Sequence, residues 1–488
     1  MKVLLAGYNL DYDLIRELKE KSAMTQDLTP ETISAAYARI SRSPRQVFEL
    51  RQNARAEVEK ARQSNRNIVF DMGHSSIAEH AVFNIDVLGV SRLLVEEIEK
   101  FRLCSFTEKS QRYVLFDKDF VLPEEIGQAG LTSLFAETIA AQNDYYQQLY
   151  QQLSPFVFEQ NKELARDSAN KSLLEGWAKE DARYVISMAT QTQLGMTINT
   201  RNLELMLRRL AALPLAEAQE YGQKLYEATK NIAPSLIRYT EATDYDKLTR
   251  KNLAQKADIF SRKYAQKTNA KKRSAVNLTY ATADADTRIA AAVLFSSSQQ
   301  SYALCLNQAK RLTARDKKAL LKTVFEHLKP YDAVFRELEN VDMQFELIVS
   351  SSCFAQLKRH RMATIISQQY DPALGVTTPP SVRQIGQQKK FMDIMRLTEK
   401  TYEQIRKKAP VAAAYILTNA HRKKVLMKFN AREMYHLARL RADAHAQWDI
   451  RKLTEDMLRQ AKKKMPLTLL LACGKDSFAS LYAKNFRR

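Results

Sequence analysis

Apolar side chains recur along most of this chain at intervals of three and four residues, which is typical of helices with one buried face. Clear examples are residues 203–210 (LELMLRRL) and 434–440 (MYHLARL). Two stretches alternate instead, residues 82–87 (VFNIDV) and 343–349 (MQFELIV), and alternation predicts half-buried strands. Glycine and proline are sparse, with 11 and 12 in 488 residues, so few positions interrupt these elements. The pattern predicts a mixed fold of helices and strands, with helix dominant.

The two halves of the chain repeat one order of elements. Each half begins with a short strand and a helix of small residues, followed by an alternating strand, a basic tripeptide and a helix that starts with Asn-x-Arg. The corresponding segments are residues 33–41 and 289–297, 82–87 and 343–349, 100–102 and 359–361, and 199–201 and 430–432. Four pairs in the same order indicate a duplicated domain.

A basic segment separates the halves. Residues 247–273 hold ten Lys or Arg and a single acid, Asp258, with few large apolar residues. This composition predicts a linker at 246–274 between a first domain at 1–245 and a second domain at 275–488. The formal charge of the chain is +21, which favours an anionic ligand such as a nucleotide phosphate, a flavin diphosphate or nucleic acid. A solvated basic surface is the alternative explanation.

Other classes of protein are disfavoured by the sequence. No apolar run reaches membrane length, and the apolar start is too short for a signal peptide, so we expect a cytoplasmic protein. The four cysteines are far apart and form no CxxC pair, so neither a zinc site nor a disulfide framework is indicated. The histidines also lack ligand spacing, and we predict no metal.

Two polar segments of the first half are candidates for ligand binding. Residues 73–80 (GHSSIAEH) place two histidines six apart, which is poor spacing for shared ligation and favours a polar loop beside a ligand; ordinary capping is the alternative. Glu108, Ser110 and Arg112 alternate, so an extended segment would place all three on one side. An acceptor, a hydroxyl and a guanidinium together suit a phosphorylated ligand, although such loops are often merely solvated.

Residues 73–113 resemble the flavin-dependent thymidylate synthase family. Its signature, RHRxxSxNExSxRY, follows a GHxSxxEH segment and a strand, and the same order occurs here. The residues that keep their signature positions are Ser105, Glu108, Ser110, Arg112 and Tyr113. The first Arg, the His and the Asn of the signature are replaced by Lys100, Phe101 and Thr107.

The second half resembles the complementary part of the family pattern. Residues 356–361 (QLKRHR) keep the RHR, but the segment that follows is two residues shorter; Ser367 and Tyr370 match the signature Ser and Tyr, and the Glu and last Arg are lost. The most specific match is LRADAHAQWDI at 440–450, after the Asn-x-Arg start; the first half reads LAALP at 210–214 instead. An Ala-Arg element at 182–183 occurs in the first half only.

The resemblance implies an α/β fold (mixed α+β) with two homologous tandem domains. It implies methylation of dUMP, or a related pyrimidine nucleotide, with reduced FAD and methylenetetrahydrofolate, and NADPH is a candidate reductant. The residues implied for FAD are Arg359, His360, Arg361, Asn430, Arg432 and His436, with Ser76, Glu108, Asn199 and Arg201 as first-half counterparts. Those implied for the nucleotide are Gln356, Glu108, Ser110, Arg112, Arg183 and Arg441. Arg441 matches the catalytic arginine that polarises the uracil ring.

Neither half keeps the complete pattern. Enzymes of the family are tetramers whose sites draw on several subunits, so a homodimer of tandem chains is expected to imitate the four-domain assembly. Arg112 and Arg441 would then bind opposite ends of one nucleotide. Three hypotheses remain at this point: a dTMP-forming enzyme, a flavin or folate enzyme acting on a base in RNA or DNA, and a non-catalytic flavin or nucleotide binding homologue.

Overall fold

The computed structural model of the protein describes residues 1–20, 29–40, 43–112, 114–116, 118–264 and 274–486. They divide into two compact units. The first unit contains Met1–Thr268 and Lys389–Leu417, and the second contains Asn269–Gln388 and Thr418–Arg488. Both units combine helices with one antiparallel sheet, so the predicted mixed α+β class is confirmed.

The first repeat contains four strands and twelve α-helices within its described part. The strands are β1 (Lys2–Tyr8), β2 (Val82–Ser91), β3 (Ser105–Glu108) and β4 (Gln191–Asn199). The helices are α1 (Tyr12–Glu20), α2 (Glu31–Ile40), α3 (Val47–Ala56), α4 (Val58–Arg66), α5 (Arg92–Ile98), α6 (Glu124–Gln128), α7 (Thr132–Gln160), α8 (Lys162–Ala165), α9 (Lys171–Ala182), α10 (Thr200–Ala211), α11 (Ala216–Thr229) and α12 (Asp244–Lys263). A π-helical turn spans Asn67–Asp71, and short 3-10 helices span Ser75–His80, Ser168–Asn170 and Arg183–Val185.

The second repeat follows the same order of elements. Its strands are β5 (Val276–Ala281), β6 (Asp342–Ser350), β7 (Thr364–Ser367) and β8 (Arg422–Asn430). Its helices are α13 (Ala285–Ser296), α14 (Tyr302–Arg311), α15 (Ala314–Phe325), α16 (Ser351–Leu357), α17 (Pro380–Gln384), α18 (Gln388–Lys408), α19 (Ala431–Arg441), α20 (Trp448–Lys464) and α21 (Phe478–Phe486). Short 3-10 helices span Arg336–Asn340, Pro372–Leu374, Pro410–Ile416 and Lys475–Ser477.

The two sheets have the same strand order, β1-β2-β4-β3 and β5-β6-β8-β7, and all pairs are antiparallel. The two predicted central strands are confirmed as β2 and β6. Their alternation is explained by burial of one face: Phe83 and Ile85 of β2, like Phe345 and Leu347 of β6, are in the apolar cores of their units.

The end of each central strand is built in the same way. Ser91 caps α5 by accepting from the Leu94 amide at 3.0 Å, and its hydroxyl donates to Glu217 at 2.6 Å. In the second unit the Ser350 hydroxyl caps α16 in this manner and donates to Asp449 at 2.6 Å. A shared sheet order and a shared capping arrangement support the duplication that the sequence indicated.

Strand pairing corrects one detail of the sequence alignment. Glu108 ends β3 and pairs with Leu194, whereas Ser367 ends β7 and pairs with Val425. Leu194 and Val425 are each the fourth residue of their strand. Ser367 therefore corresponds to Glu108, so its match to a signature serine was wrong, because the two-residue difference falls after β7.

Helices from both repeats pack together within the first unit. The α7 residues Thr138 and Gln142 form buried hydrogen bonds with Thr401 and Thr398 of α18, at 2.9 and 2.8 Å. By its place in the order of elements, α18 is the second-repeat counterpart of α7. A helix of the second repeat thus completes the core of the first unit.

The predicted basic linker overlaps α12, whose residues are all exposed or partly exposed. Thr243 and Asp246 form a capping box at its start, which fixes the first turn. Residues 265–273 of the predicted linker lie outside the described residues, and the predicted domain boundaries stay a prediction. No helix within the described ranges is long and apolar enough to cross a membrane.

Candidate functional site

Three arginines gather beside the sheet of the first unit. Arg92 is the first residue of α5, Arg183 follows α9, and Arg112 lies in the loop after β3. Arg92 and Arg183 are only 4% and 6% exposed. Burying a guanidinium is costly unless anions face it, so this grouping marks a specialised place in the fold.

Two carboxylates accompany these arginines. Arg92 donates to Glu108, and Glu108 also accepts from the Thr192 hydroxyl at 3.3 Å. Arg112 forms an ion pair with Glu180 through its Nε, at 2.5 Å. Both carboxylates are nearly buried, with side chains 8% and 6% exposed.

The electrostatic balance differs between the two buried arginines. Burial alone would lower the pKa of Arg92, but the carboxylates of Glu108, Glu99 and Glu96 outweigh it and raise the pKa. At Arg183, burial and the positive charges of Arg112 and Arg92 lower the pKa against the effect of Glu180. The Arg183 cation is therefore the less stabilised one, and an added anion such as a phosphate would relieve it.

The structure brings three of the predicted nucleotide residues, Glu108, Arg112 and Arg183, into this cluster. The expected alternation is wrong, however, because the extended segment ends at Glu108. Ser110 instead accepts a hydrogen bond from the Arg112 amide at 3.1 Å, which shapes a turn. Ser110 thus sets the path of the loop that carries Arg112.

The second unit contains a different arrangement around His360, which lies in the turn after α16 and is 2% exposed. Its Nδ1 is 3.0 Å from a carboxylate oxygen of Glu433, and its Nε2 is 3.2 Å from the Nε of Arg441. Arg441 also donates to the Gln356 carbonyl at 3.4 Å. Glu433 and Arg441 lie near opposite ends of α19, so one helix holds both partners of the imidazole.

The hydrogen bonds determine which nitrogen of the His360 imidazole carries the proton. Burial is the main effect that lowers the pKa of His360, with the Arg441 charge adding to it and Glu433 opposing it. A neutral ring carries one proton, and arginine only donates, so Nε2 accepts from Arg441 and Nδ1–H donates to Glu433. The arrangement is a directed chain from Arg441 through His360 to Glu433.

His436 lies close enough to His360 and Glu433 for the three side chains to be considered as ligands of a metal ion. One ligand atom each from His360, Glu433 and His436 lie within 4.8 Å of one another. Both nitrogens of His360 are already engaged, and a cation here would stand beside the Arg441 guanidinium. The donor set therefore favours the hydrogen-bonded chain over metal ligation.

The Asn-x-Arg segments have a structural role in both repeats. Asn199 and Asn430 are N-caps. Their side-chain oxygens accept hydrogen bonds from the backbone amides three residues later, those of Asn202 and Glu433, at 3.0 and 2.9 Å. Arg432 is bound to the Val334 carbonyl and to Glu339, at 2.9 and 3.0 Å. Arg201 is similarly paired with Glu79. Contact of these arginines with FAD stays a prediction and would require them to leave these partners.

The other residues predicted for FAD lie at the surface or close to it. Ser76 is exposed in the 3-10 helix Ser75–His80, the helix to which Arg201 is anchored. Arg359 is partly buried and Arg361 is exposed in the turn that holds His360. This turn joins α16 to β7, so the RHR segment is fixed between a helix and a strand.

The first repeat lacks the His360 chain at the corresponding positions. Counting from Ser91 and Ser350, Phe101 replaces His360. Counting from the capping asparagines, Asn202 replaces Glu433 and Leu210 replaces Arg441. Phe101 and Leu210 belong to the apolar core of the first unit, which leaves no polar chain among these three residues.

The second repeat lacks the arginine cluster in the same manner. Ser351 follows its central strand where the first repeat has Arg92, and Ser367 corresponds to Glu108. Ala414 stands at the sequence position of Arg183. Each repeat has thus kept one set of polar groups and replaced the other.

Three residues of these sites were missed by sequence reasoning: Arg92, Glu180 and Glu433. Arg92 comes five residues after the predicted strand 82–87 and directly after the observed strand β2, and functional side chains are common where strands end, so this was an available signal. Glu433 stands three residues before His436 on the helical face, another usable signal. Glu180 stands three residues before Arg183, which was a local signal, but its ion pair with Arg112 joins distant parts of the sequence.

Comparison with known proteins identifies relatives of two lengths. The family model described as "Thymidylate synthase complementing protein" matches residues 23–235 and again 277–467. A UPF0159 protein of Chlamydia muridarum is 24% identical over 434 residues, covering 84% of this chain and 80% of its own. A UPF0159 protein of Thermoplasma acidophilum is 23% identical over 440 residues, covering 82% and 86%. A flavin-dependent thymidylate synthase of Clostridium tetani is 29% identical over 214 residues, covering 43% of this chain and 82% of its own.

Proposed function

The chain belongs to the thymidylate synthase complementing protein family, and on that premise we propose that it is a flavin-dependent thymidylate synthase. It would methylate dUMP, or a related pyrimidine nucleotide, with methylenetetrahydrofolate and reduced FAD. The observation that carries this proposal is the buried arginine cluster of the first unit, since three residues implied for the nucleotide meet there.

The cluster suits a phosphate monoester. Burial first, and then the charges of Arg112 and Arg92, lower the pKa of Arg183, so a bound dianion would stabilise its cation. Arginine also offers paired donors that match phosphate oxygens. In this proposal Arg112 and Arg183 bind the phosphate, and Glu108 and Arg92 hold the local geometry.

The second unit suits the flavin and the reacting ring. The amide Nε2 of Gln356 is buried and has no hydrogen-bond partner among the described residues, which fits an oxygen acceptor supplied by a ligand. Arg359 and Arg361 would supply cations for the flavin phosphates. When bound, the reduced flavin supplies the hydride of the methylation, and Arg441 would stabilise negative charge on the uracil.

One assay tests the proposal as a whole. The purified chain is expected to show flavin absorbance, or to take up added FAD, and to form dTMP from dUMP and methylenetetrahydrofolate under reducing conditions. A chain that binds FAD and dUMP without forming dTMP would instead support a binding homologue. A chain that binds neither would contradict the proposal.

The nucleotide site has a more specific test. Arg183→Lys keeps a charge but loses the forked donors, and we expect dUMP affinity to fall about ten- to a hundredfold, as for a lost bond to a charged group of about 1.5–3 kcal/mol. Arg166→Ala is the matched control, because Arg166 is an exposed arginine paired with Glu163. Equal dUMP affinity in both variants would remove the nucleotide from this cluster.

A further inference from the structure

We propose that Glu433 is a positioning residue that fixes the direction of the Arg441 guanidinium through His360. The inference deepens the proposed function and rests on it, because Arg441 is the group assigned there to the uracil ring. The three side chains come from two segments, the turn after α16 and the helix α19. Their order is Glu433, His360, Arg441.

The contacts allow only one direction of hydrogen bonding. Arginine has no acceptor, so its Nε–H must be received by a lone pair on His360 Nε2, 3.2 Å away. That lone pair exists only when the ring proton is on Nδ1. The Glu433 carboxylate, 3.0 Å from Nδ1, accepts that proton and has none to return. Glu433 therefore selects the tautomer that can receive Arg441.

Burial makes this selection matter. His360 and Glu433 are 2% and 6% exposed, so water cannot readily replace either bond. Without the carboxylate, the imidazole can carry its proton on Nε2, and that proton would face the Arg441 Nε–H. The guanidinium would then turn away from the ring, and its hydrogen bond to the Gln356 carbonyl, at 3.4 Å, is long. A catalytic cation displaced by about 1 Å can cost on the order of a hundredfold in rate.

The first repeat shows which changes the fold accepts. At the corresponding positions it has Asn202 and Phe101, both packed within a folded unit, and Asn202 follows the same capping asparagine. Glu433→Asn and His360→Phe are thus substitutions with a precedent in this chain. Glu433→Gln is the closest in shape, and its amide can either accept from or donate to Nδ1.

The kinetic test uses the full chain with FAD. Glu433→Asn and Glu433→Gln are expected to lower kcat for dTMP formation about ten- to a hundredfold. The dUMP KM and the FAD affinity are expected to change by less than about threefold, because only the direction of Arg441 is altered. Glu433→Gln is expected to be the milder variant. The control is Glu455→Gln, which removes an exposed carboxylate of α20. Unchanged kcat in both Glu433 variants would overturn the proposal, as would equal losses in kcat and FAD affinity.

A second readout does not depend on activity. Nitrogen-15 NMR of histidine-labelled protein is expected to show His360, identified by its loss in His360→Phe, with the proton on Nδ1, and Glu433→Gln is expected to shift proton density to Nε2. An Nε2–H tautomer in the wild-type protein would overturn the inference. If the expected tautomer is found but the wild-type chain forms no dTMP, the proposed function fails while the hydrogen-bonded arrangement stands.

Discussion

Phe101 and His360 occupy the same place in the two repeats, directly after α5 and α16, and their surroundings have diverged with them. Phe101 is 7% exposed in the apolar core, with the Arg209 guanidinium 5.8 Å from its ring centre. His360 has two charged partners instead. The sequence identified Phe101 as a replaced histidine. It could not identify Glu433 as the partner, because that pairing joins residues 73 apart.

The basic tripeptides give the first prediction at this scale. Arg359→Ala is expected to weaken FAD binding about ten- to a hundredfold, since a charge-assisted bond to a phosphate is typically worth about 1.5–3 kcal/mol. Lys100→Ala is the matched control, because Lys100 takes the corresponding place in the first repeat and is paired with Glu97. FAD titration followed by flavin fluorescence measures both. Equally small effects would count against a flavin site in the second repeat.

His421 gives a prediction about pH. Burial lowers the pKa of His421 to about 4 from an ordinary 6.5, although a hydrogen bond to Thr418 acts in the other direction. Between these values the unfolded chain binds more protons than the native state, so the free energy of unfolding falls as pH falls. The contribution at neutral pH is on the order of 3 kcal/mol and is lost as pH falls from about 6.5 to about 4.

Urea unfolding of the wild type and His421→Asn tests this, because the asparagine oxygen can replace Nδ1 as the acceptor for Thr418. The stability difference between the two proteins is expected to shift in favour of the variant as pH falls from 7 to 4.5. His327→Asn, at an exposed histidine, is the control and should show no such shift. A constant difference across this pH range would contradict the expectation.

At the scale of elements, the sequence was informative wherever a pattern is local. The alternating strands became β2 and β6, and the Asn-x-Arg segments became helix starts, because N-capping by asparagine is a local property. The match of Ser367 to a signature serine was wrong, since its place is set by the register with the partner strand β8. The packing of α18 on α7 was also beyond prediction, because Thr138 and Thr401 meet across 263 residues.

The helix α12 gives a prediction at this scale. It carries six Lys or Arg and three Asp, and all of its residues are exposed or partly exposed. If α12 binds a polyanion, nucleic acid should bind with an affinity that falls steeply with salt. With four phosphates neutralised, the loss between 50 and 200 mM salt would be roughly a hundredfold. This outcome would favour a substrate base within RNA or DNA.

Filter binding at two salt concentrations provides the measurement. Changing Lys247, Arg250, Lys251 and Lys256 to Gln should abolish binding and the salt dependence. The control changes Lys310, Lys318, Lys329 and Lys475 to Gln, which removes equal charge from other exposed positions. If the wild type fails to bind at low salt, the nucleic-acid hypothesis is removed. If both variants weaken equally, binding follows the net charge of the chain and α12 is an ordinary solvated surface.

At the scale of the whole molecule, the chain is a duplication in which the repeats have specialised in opposite directions. The first keeps Arg112 and Arg183, and the second keeps His360 and Arg441. The sequence revealed this division because each loss falls on a recognisable pattern. It could not show that the replacing side chains, Phe101 and Leu210, pack into the apolar core of the first unit.

Specialised repeats lead to a prediction about stoichiometry and kinetics. If each kind of site exists once per chain, equilibrium titration should find one FAD and one dUMP per chain rather than two. Arg112→Ala should then mainly raise the dUMP KM, because a phosphate contact is present throughout the reaction. Arg441→Ala should mainly lower kcat, because its charge matters most as the ring becomes anionic.

Two FAD per chain would show that the first repeat still binds flavin despite Phe101. A loss of dUMP affinity in Arg441→Ala as large as that in Arg112→Ala would place Arg441 in ground-state binding. That the two arginines serve the same nucleotide stays a prediction, and their different kinetic signatures are its first requirement.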